Sequence, residues 1–264
     1  MRWIEGNGVS LRVDDDAAAG EAAPLVLLHE LGGSLESFDG FVGHLAGRRR
    51  VVRYDQRGAG LSEKQPGPVS LDEHARDLDA LLRALGLHGP CHLVGVAAGA
   101  AVAALLALAQ PERAASLALC APALGVAPDR RQYLLDRARQ AAERGMRGVA
   151  EPTLVRSYPE ILRGDRAAFE GYRARFLAND PAAYARANEA LANAAVEARL
   201  EALDAPCLVL AGVHDPLRPP DQVRRLADRI PGARFAVIES GHLMPVQAPA
   251  AMAAAVEALI EGLA

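Results

Sequence analysis

The chain is 264 residues long, 51% apolar yet only 4% aromatic, and 55 of its residues are alanine. That length suits one large α/β domain, and so apolar a composition excludes a largely disordered chain. The 29 basic residues are 28 arginines and Lys64 alone, and a net charge of −4 with a pI near 6.0 argues against nucleic acid as the main partner.

In chain order, the opening MRWIEGNGVSLRVDDD lacks an apolar stretch and does not read as a signal peptide. Residues 2–5 and 10–14, separated by Gly6-Asn7-Gly8, predict a β-hairpin. Residues 25–29 and 50–54 are runs of the kind found in strands buried on both faces. Ser70-Leu71-Asp72-Glu73 has the form of a capping box, and Leu71, Ala75, Leu78, Leu82 and Leu85 then recur at helical spacing until Gly86. A strand over 91–94, a helix over 98–109 and a strand over 116–120 follow. Residues 91–109 carry no acidic or basic side chain, but Gly95 and Gly99 interrupt them and Pro111-Glu112-Arg113 closes them. They read as a buried strand, tight turn and buried helix rather than a membrane span.

From about 124 to 201 the pattern is helical and rich in Arg, Ala and Glu, with Asp180-Pro181 as a strong helix start. Alternation returns with a strand over 207–212, a helix near 221–230, a strand over 234–238 and a last helix from about 249. The expected architecture is a mostly parallel sheet formed by 1–123 and 202–264, with a helical cap over 124–201 at the sheet's carboxyl edge. Cys91, Cys120 and Cys207 are odd in number, scattered and set in aliphatic runs. They point away from a disulfide scaffold or zinc site and toward a reducing, cytoplasmic setting.

Five segments stand in order along the chain: LLHELGGSLESF, YDQRGAGLSEK, HLVGVAAGA, LAGVHDPLRPP and ESGHLMPVQAP. On these the whole chain resembles the α/β-hydrolase superfamily and, within it, the 3-oxoadipate enol-lactone hydrolase branch; residues 142–155 and 177–200 are also similar to that branch. The resemblance implies an α/β-hydrolase fold, a nucleophile elbow at Gly95-Val96-Ala97-Ala98-Gly99, a triad acid at Asp215 and a triad histidine at His242. It further implies an oxyanion hole made by the backbone N–H groups of Leu31 and Ala98. Two such donors at a helix N-terminus favour a developing negative charge, and an acid that orients a histidine fixes its tautomer.

Two positions depart from that pattern. The elbow should read G-x-S-x-G, yet Ala97 occupies the nucleophile position, so no covalent acyl-enzyme forms there. None of the eight serines substitutes for it: Ser34, Ser37, Ser62 and Ser240 read as turn and cap hydroxyls, and Cys120 as a buried, inert thiol. Glu30 stands where the superfamily usually has glycine. It reads either as a loop carboxylate facing solvent or bonded to backbone, or as a general acid or base working with His242. His29 reads as a loop-ordering residue, His92 and His214 as satisfied histidines, and Asp55-Gln56-Arg57-Gly58 as a structural turn. Arg131, Arg137, Arg139, Arg156 and Arg163 belong by default to a solvated helix face, with capture of a substrate carboxylate as the functional alternative.

Three readings of function follow. The leading one is an enzyme acting on a small lactone, ester or enol without a serine intermediate, with His242 as base, Asp215 orienting it and Glu30 as a further catalytic candidate. The second is a conventional serine ester or lactone hydrolase whose nucleophile has been replaced by Ala97. The third is a non-catalytic ligand-binding protein. No metal or organic cofactor is expected, since no ligand spacing occurs and Gly95-x-x-x-Gly99 lacks the Lys-Ser/Thr of a P-loop. The expected partner is a small-molecule substrate, with no nucleic acid and no membrane; a homodimer is compatible with this reading.

Overall fold

The computed structural model of the protein describes residues 1–16, 22–45 and 49–263. Strands β1 (Arg2–Gly6) and β2 (Val9–Asp16) form the expected hairpin, with Gly6 opposite Val9. They are followed by β3 (Leu25–Leu28), α1 (Asp39–Gly43), β4 (Val51–Tyr54), α2 (Leu71–Ala84), β5 (Cys91–Val96), α3 (Ala98–Ala109) and β6 (Ala114–Cys120). Helices α4 (Pro128–Ser157), α5 (Arg166–Leu177) and α6 (Pro181–Ala192) come next. The chain then returns through β7 (Cys207–Gly212), α7 (Pro220–Ala227), β8 (Arg234–Ile238), α8 (Met244–Gln247) and α9 (Pro249–Glu261).

The strands form one eight-stranded sheet in the order β1-β2-β4-β3-β5-β6-β7-β8, antiparallel at β1–β2 and β2–β4 and parallel from β4 to β8. Both faces are covered because the two-residue strand period sends alternate side chains to opposite sides. On β3, Val26 and Leu28 join Leu78 and Leu82 of α2 and Val102 of α3 in one cluster. Leu25 and Leu27 join Phe38, Phe41 and the α9 residues Met252, Val256 and Leu259 in the other. Each fully buried aliphatic side chain of this size stabilises the fold by roughly 1.5–3 kcal/mol.

One local expectation is corrected. Ser70 caps α2 by accepting from Glu73 N at 3.1 Å, but the capping box is only half made. The Glu73 carboxylate is drawn instead to Asn7 (2.8 Å) and Arg76, because a side-chain amide and a guanidinium lie within its reach. Helix α4 breaks at Gly145 (φ 69°, ψ 179°), which bends the segment between β6 and β7. Asp180, in contrast, caps α6 as expected, accepting from Ala183 N at 2.7 Å with Pro181 as the first helical residue.

Candidate active site

The turn from β5 into α3 is the most crowded piece of backbone in the site. A Cβ on Gly95 would collide with Gly99 O, and one on Gly99 with Leu28 O of β3. Glycine at both positions lets the helix start directly against the sheet. Ala97 sits between them at φ 51°, ψ −109°, a strained conformation for a residue with a Cβ. Its N–H donates to Cys120 O (2.9 Å) and its carbonyl accepts from Ala123 N (3.1 Å), so β6 fixes the turn from outside. The elbow geometry is therefore intact with a methyl in place of a hydroxyl.

His242 and Asp215 are brought together as expected. Their loops follow β8 and β7, which are paired in parallel register, and His242 Nδ1 lies 2.8 Å from Asp215 Oδ2. The second carboxylate oxygen accepts from the backbone N–H of Leu217 (2.8 Å) and Arg218 (3.0 Å). Burial pushes the Asp215 carboxyl up, but the charge and hydrogen bond of His242, with the two N–H donors, outweigh it and hold the carboxyl below its ordinary value. Asp215 is 3% exposed and so serves the ring rather than solvent.

Gln247, the glutamine of the ESGHLMPVQAP motif, braces this loop. Gln247 Oε1 accepts from Gly241 N (3.1 Å) and Leu243 N (3.0 Å), the two N–H groups flanking His242. Its amide nitrogen donates to Ser157 O at the end of α4 (3.0 Å).

One cavity, open to solvent, is lined by Glu30, Leu31, Ala97, Ala98 and His242 together. Among the described residues, the backbone N–H groups of Leu31 and Ala98 have no acceptor. A pair of free donors beside an elbow is the arrangement that stabilises an oxyanion. The Leu31 loop is held from both sides. Below it, His29 Nε2 accepts from Gln56 N (3.0 Å), leaving Nδ1 to donate to Glu30 O (2.7 Å). Above it, Asn179 Nδ2 donates to Gly32 O (2.9 Å). Both His29 and the Asp55 turn are thus structural: Asp55 accepts from Leu35 N (2.8 Å) and Leu61 N (2.7 Å).

Glu30 is neither solvent-facing nor backbone-bonded through its side chain. It is 1% exposed, and its Oε1 accepts from Ser37 Oγ and from Tyr172 OH of α5, each at 2.9 Å. Its Oε2 is buried with no partner among the described residues. Ser37 is therefore a clamp on Glu30, beyond the turn hydroxyl expected of it. Burial, then the charge and hydrogen bond of Glu30, push the Tyr172 phenol well above its ordinary value and keep it a donor.

The helical segment meets these expectations unevenly. Arg137 lines the cavity, with its Nε donating to Asn188 Oδ1 at 2.6 Å. Arg131 bonds Asn193 (3.0 Å), Arg139 pairs with Asp136 (2.8 Å) and Arg163 lies over the Phe169 ring (4.2 Å), and none of these three lines the cavity. Arg156 faces a neighbouring groove. Arg130 and Arg218 do line the cavity, and sequence reasoning missed both. Arg218 follows Asp215 by three residues, inside the LAGVHDPLRPP motif, and that proximity was the available signal.

The remaining candidates are structural. His92 Nδ1 meets Ser116 Oγ at 2.8 Å, His214 meets Glu239, and Ser62 Oγ donates to Asp55 O at 2.6 Å. The three cysteines are free and buried, and burial pushes the Cys120 thiol far up, away from nucleophilic chemistry. Among the described residues no acid, histidine or cysteine cluster has the form of a metal site, and no helix is long and apolar enough to cross a membrane.

A mostly parallel sheet with an elbow after β5, an acid after β7 and a histidine after β8 defines a hydrolase-like enzyme of the α/β-hydrolase type. Residues 23–249 match the α/β hydrolase fold family, and the chain belongs to it. Individual relatives include enol-lactonases and an esterase. The 3-oxoadipate enol-lactonase 2 of Acinetobacter baylyi is 27% identical over 238 residues, covering 90% of this chain and 88% of that protein. The enol-lactonase of Burkholderia xenovorans LB400 superposes with a TM-score of 0.91 at 27% identity, over 98% of this chain and 100% of that one. A malate-bound thermophilic esterase of Thermogutta terrifontis superposes with a TM-score of 0.93 at 27% identity, over 100% and 99%.

Proposed function

We propose that the protein hydrolyses a small, carboxylate-bearing lactone or ester in one step, with water rather than a serine as the nucleophile. The observation that carries this reading is the His242–Asp215 pair at 2.8 Å, converging with two free backbone N–H groups on a cavity whose elbow residue has no reactive atom.

In this mechanism His242 Nε2 takes a proton from water as the water oxygen bonds to the carbonyl carbon. Asp215 stabilises the imidazolium, and the N–H groups of Leu31 and Ala98 receive the negative charge on the former carbonyl oxygen. Collapse breaks the bond to the leaving oxygen, which takes the proton back from His242. In a lactone that oxygen stays attached and the ring opens. Glu30, anchored through Oε1 by Ser37 and Tyr172, presents Oε2 as the acceptor that orients the water. The helical segment over 124–201 acts as the cap, with Arg137 taking the substrate carboxylate. The relatives named for enol-lactone and ester hydrolysis, and the malate-bound form of one of them, support a small anionic substrate.

The strained φ retained at Ala97 favours a second reading, a serine hydrolase whose nucleophile has been replaced, because an elbow of this shape is what presents a serine. A paired assay of this sequence and Ala97→Ser on enol-lactones and simple esters separates the two. The water mechanism predicts turnover that Ala97→Ser does not improve and His242→Ala abolishes. Turnover by the serine variant alone would establish the second reading. Tight binding without turnover in either would mark a binding protein.

A further inference from the structure

Outside the cavity lies a groove of about 610 Å³, open to solvent, which shares Arg130, Leu217 and Arg218 with it. Its arginines fall into two sets. At the rim, Arg225 pairs with Asp221 (3.0 Å) and Arg229 with Glu197 (3.2 Å) and Glu201 (2.8 Å). Further in, Arg130, Arg156 and Arg218 are half-buried and form no ion pair with a carboxylate among the described residues. They are nonetheless held in place. Arg130 and Arg156 each lie 5.3 Å from the centre of the Tyr133 ring, with Arg137 at 5.4 Å. Arg218 Nε donates to Pro122 O at 3.0 Å.

Burial, and then the nearby guanidiniums of Arg156, Arg218 and Arg137, lower the Arg130 pKa, so the cluster is under mutual repulsion. Of the two acids whose charge acts on Arg218, Asp215 is already committed to His242 and two backbone donors, and Glu197 is paired with Arg229. Three guanidinium forks offer more donors than one carboxylate can accept, and they match the several charged oxygens of a phosphate-class dianion.

We propose that this groove seats a phosphate-class group with two or more negative charges, carried by the substrate at a distance from the bond that is cleaved. The proposal rests on the cavity being the reaction site, and its test separates the two. Calorimetric titration with inorganic pyrophosphate at low salt should show affinity at least about tenfold above that for acetate. Arg156→Gln, which touches the groove but not the cavity, should lose about tenfold, as should Arg130→Gln, whereas His242→Ala should bind as the parent does. In a second arm, an ester bearing a phosphate on its leaving group should exceed its neutral analogue in kcat/KM, and Arg156→Gln should remove that advantage while leaving the neutral ester unchanged. Pyrophosphate affinity no better than that for acetate, or unaffected by both arginine variants, overturns the proposal. Pyrophosphate binding without any advantage for the phosphorylated ester overturns the substrate assignment and marks a free anion instead. Anion binding in a protein that turns over no ester sustains the seat and removes the hydrolytic reading alone.

Discussion

Residues 124–201 make up 78 of the 264 positions yet hold six of the eleven aromatic residues and 13 of the 28 arginines. The sheet core is the opposite: α3 is buried from Ala98 to Ala107 and contains no charged or aromatic side chain. The packing follows this split. Gly95 and Gly99 let α3 start against β3 with backbone packed on backbone, beside the cavity residues Leu31 and Ala98. The helical segment instead packs Tyr158, Phe169, Tyr172, Phe176 and Tyr184 into an aromatic cluster that reaches the core through Leu243 and Leu31. Under the proposed function the contrast is a division of labour, in which the core supplies the N–H groups and the histidine and the inserted helices supply side chains that meet the ligand.

The sharpest test of that division is His242→Ala, which should lower kcat by about 10³–10⁴-fold with little change in KM. A change confined to KM would place the chemistry elsewhere. Next comes acid stability. Burial lowers both His74 and His92, core residues, from 6.5 to about 4. The unfolded chain takes up these protons near pH 6.5 and the folded chain only near pH 4. The stability they contribute is therefore complete above pH 6.5 and lost as pH falls toward 4, at up to about 3 kcal/mol for the fully buried His74 and less for His92. The inserted helices contain no histidine, so urea unfolding followed by circular dichroism should show a shallower acid slope in His74→Gln and His92→Gln, and an unchanged slope would contradict the assignment.

Smaller effects test the ligand-choosing half. Arg137→Gln should raise KM for carboxylate-bearing esters about tenfold while sparing kcat and neutral esters. Equal losses on both substrates would show that Arg137 holds the fold rather than the ligand. Ala97→Gly should raise stability by about 1 kcal/mol, read as a shift in the denaturation midpoint, because glycine adopts the elbow conformation without strain. A loss of stability there would mean that the buried methyl outweighs the strain.

Most of the fold was legible because each buried strand declares itself as a short aliphatic run and α3 as an uncharged alanine stretch. The His242–Asp215 pair was legible only through the family resemblance, since 27 residues separate the partners and nothing local links them. Glu30 marks where sequence reading stops. Its environment depends on Tyr172, 142 positions away, and on Ser37, which looked like a turn residue. The same holds for Arg130 and Arg218, which meet at the cavity only because the kinked α4 and the β7 loop face each other across it. Half of the capping box at Ser70 failed for a related reason, as the distant Asn7, together with Arg76 one turn further along the helix, outbid the Ser70 N–H for Glu73.

The single amide of Gln247 gives the two halves of the molecule a shared joint. One end grips the backbone on both sides of His242, and the other grips Ser157, the last residue of α4. Whatever displaces α4 to admit a ligand must either carry the histidine loop with it or break that grip. On the proposed mechanism, ligand entry and the alignment of His242 are thereby geared to one another through one side chain.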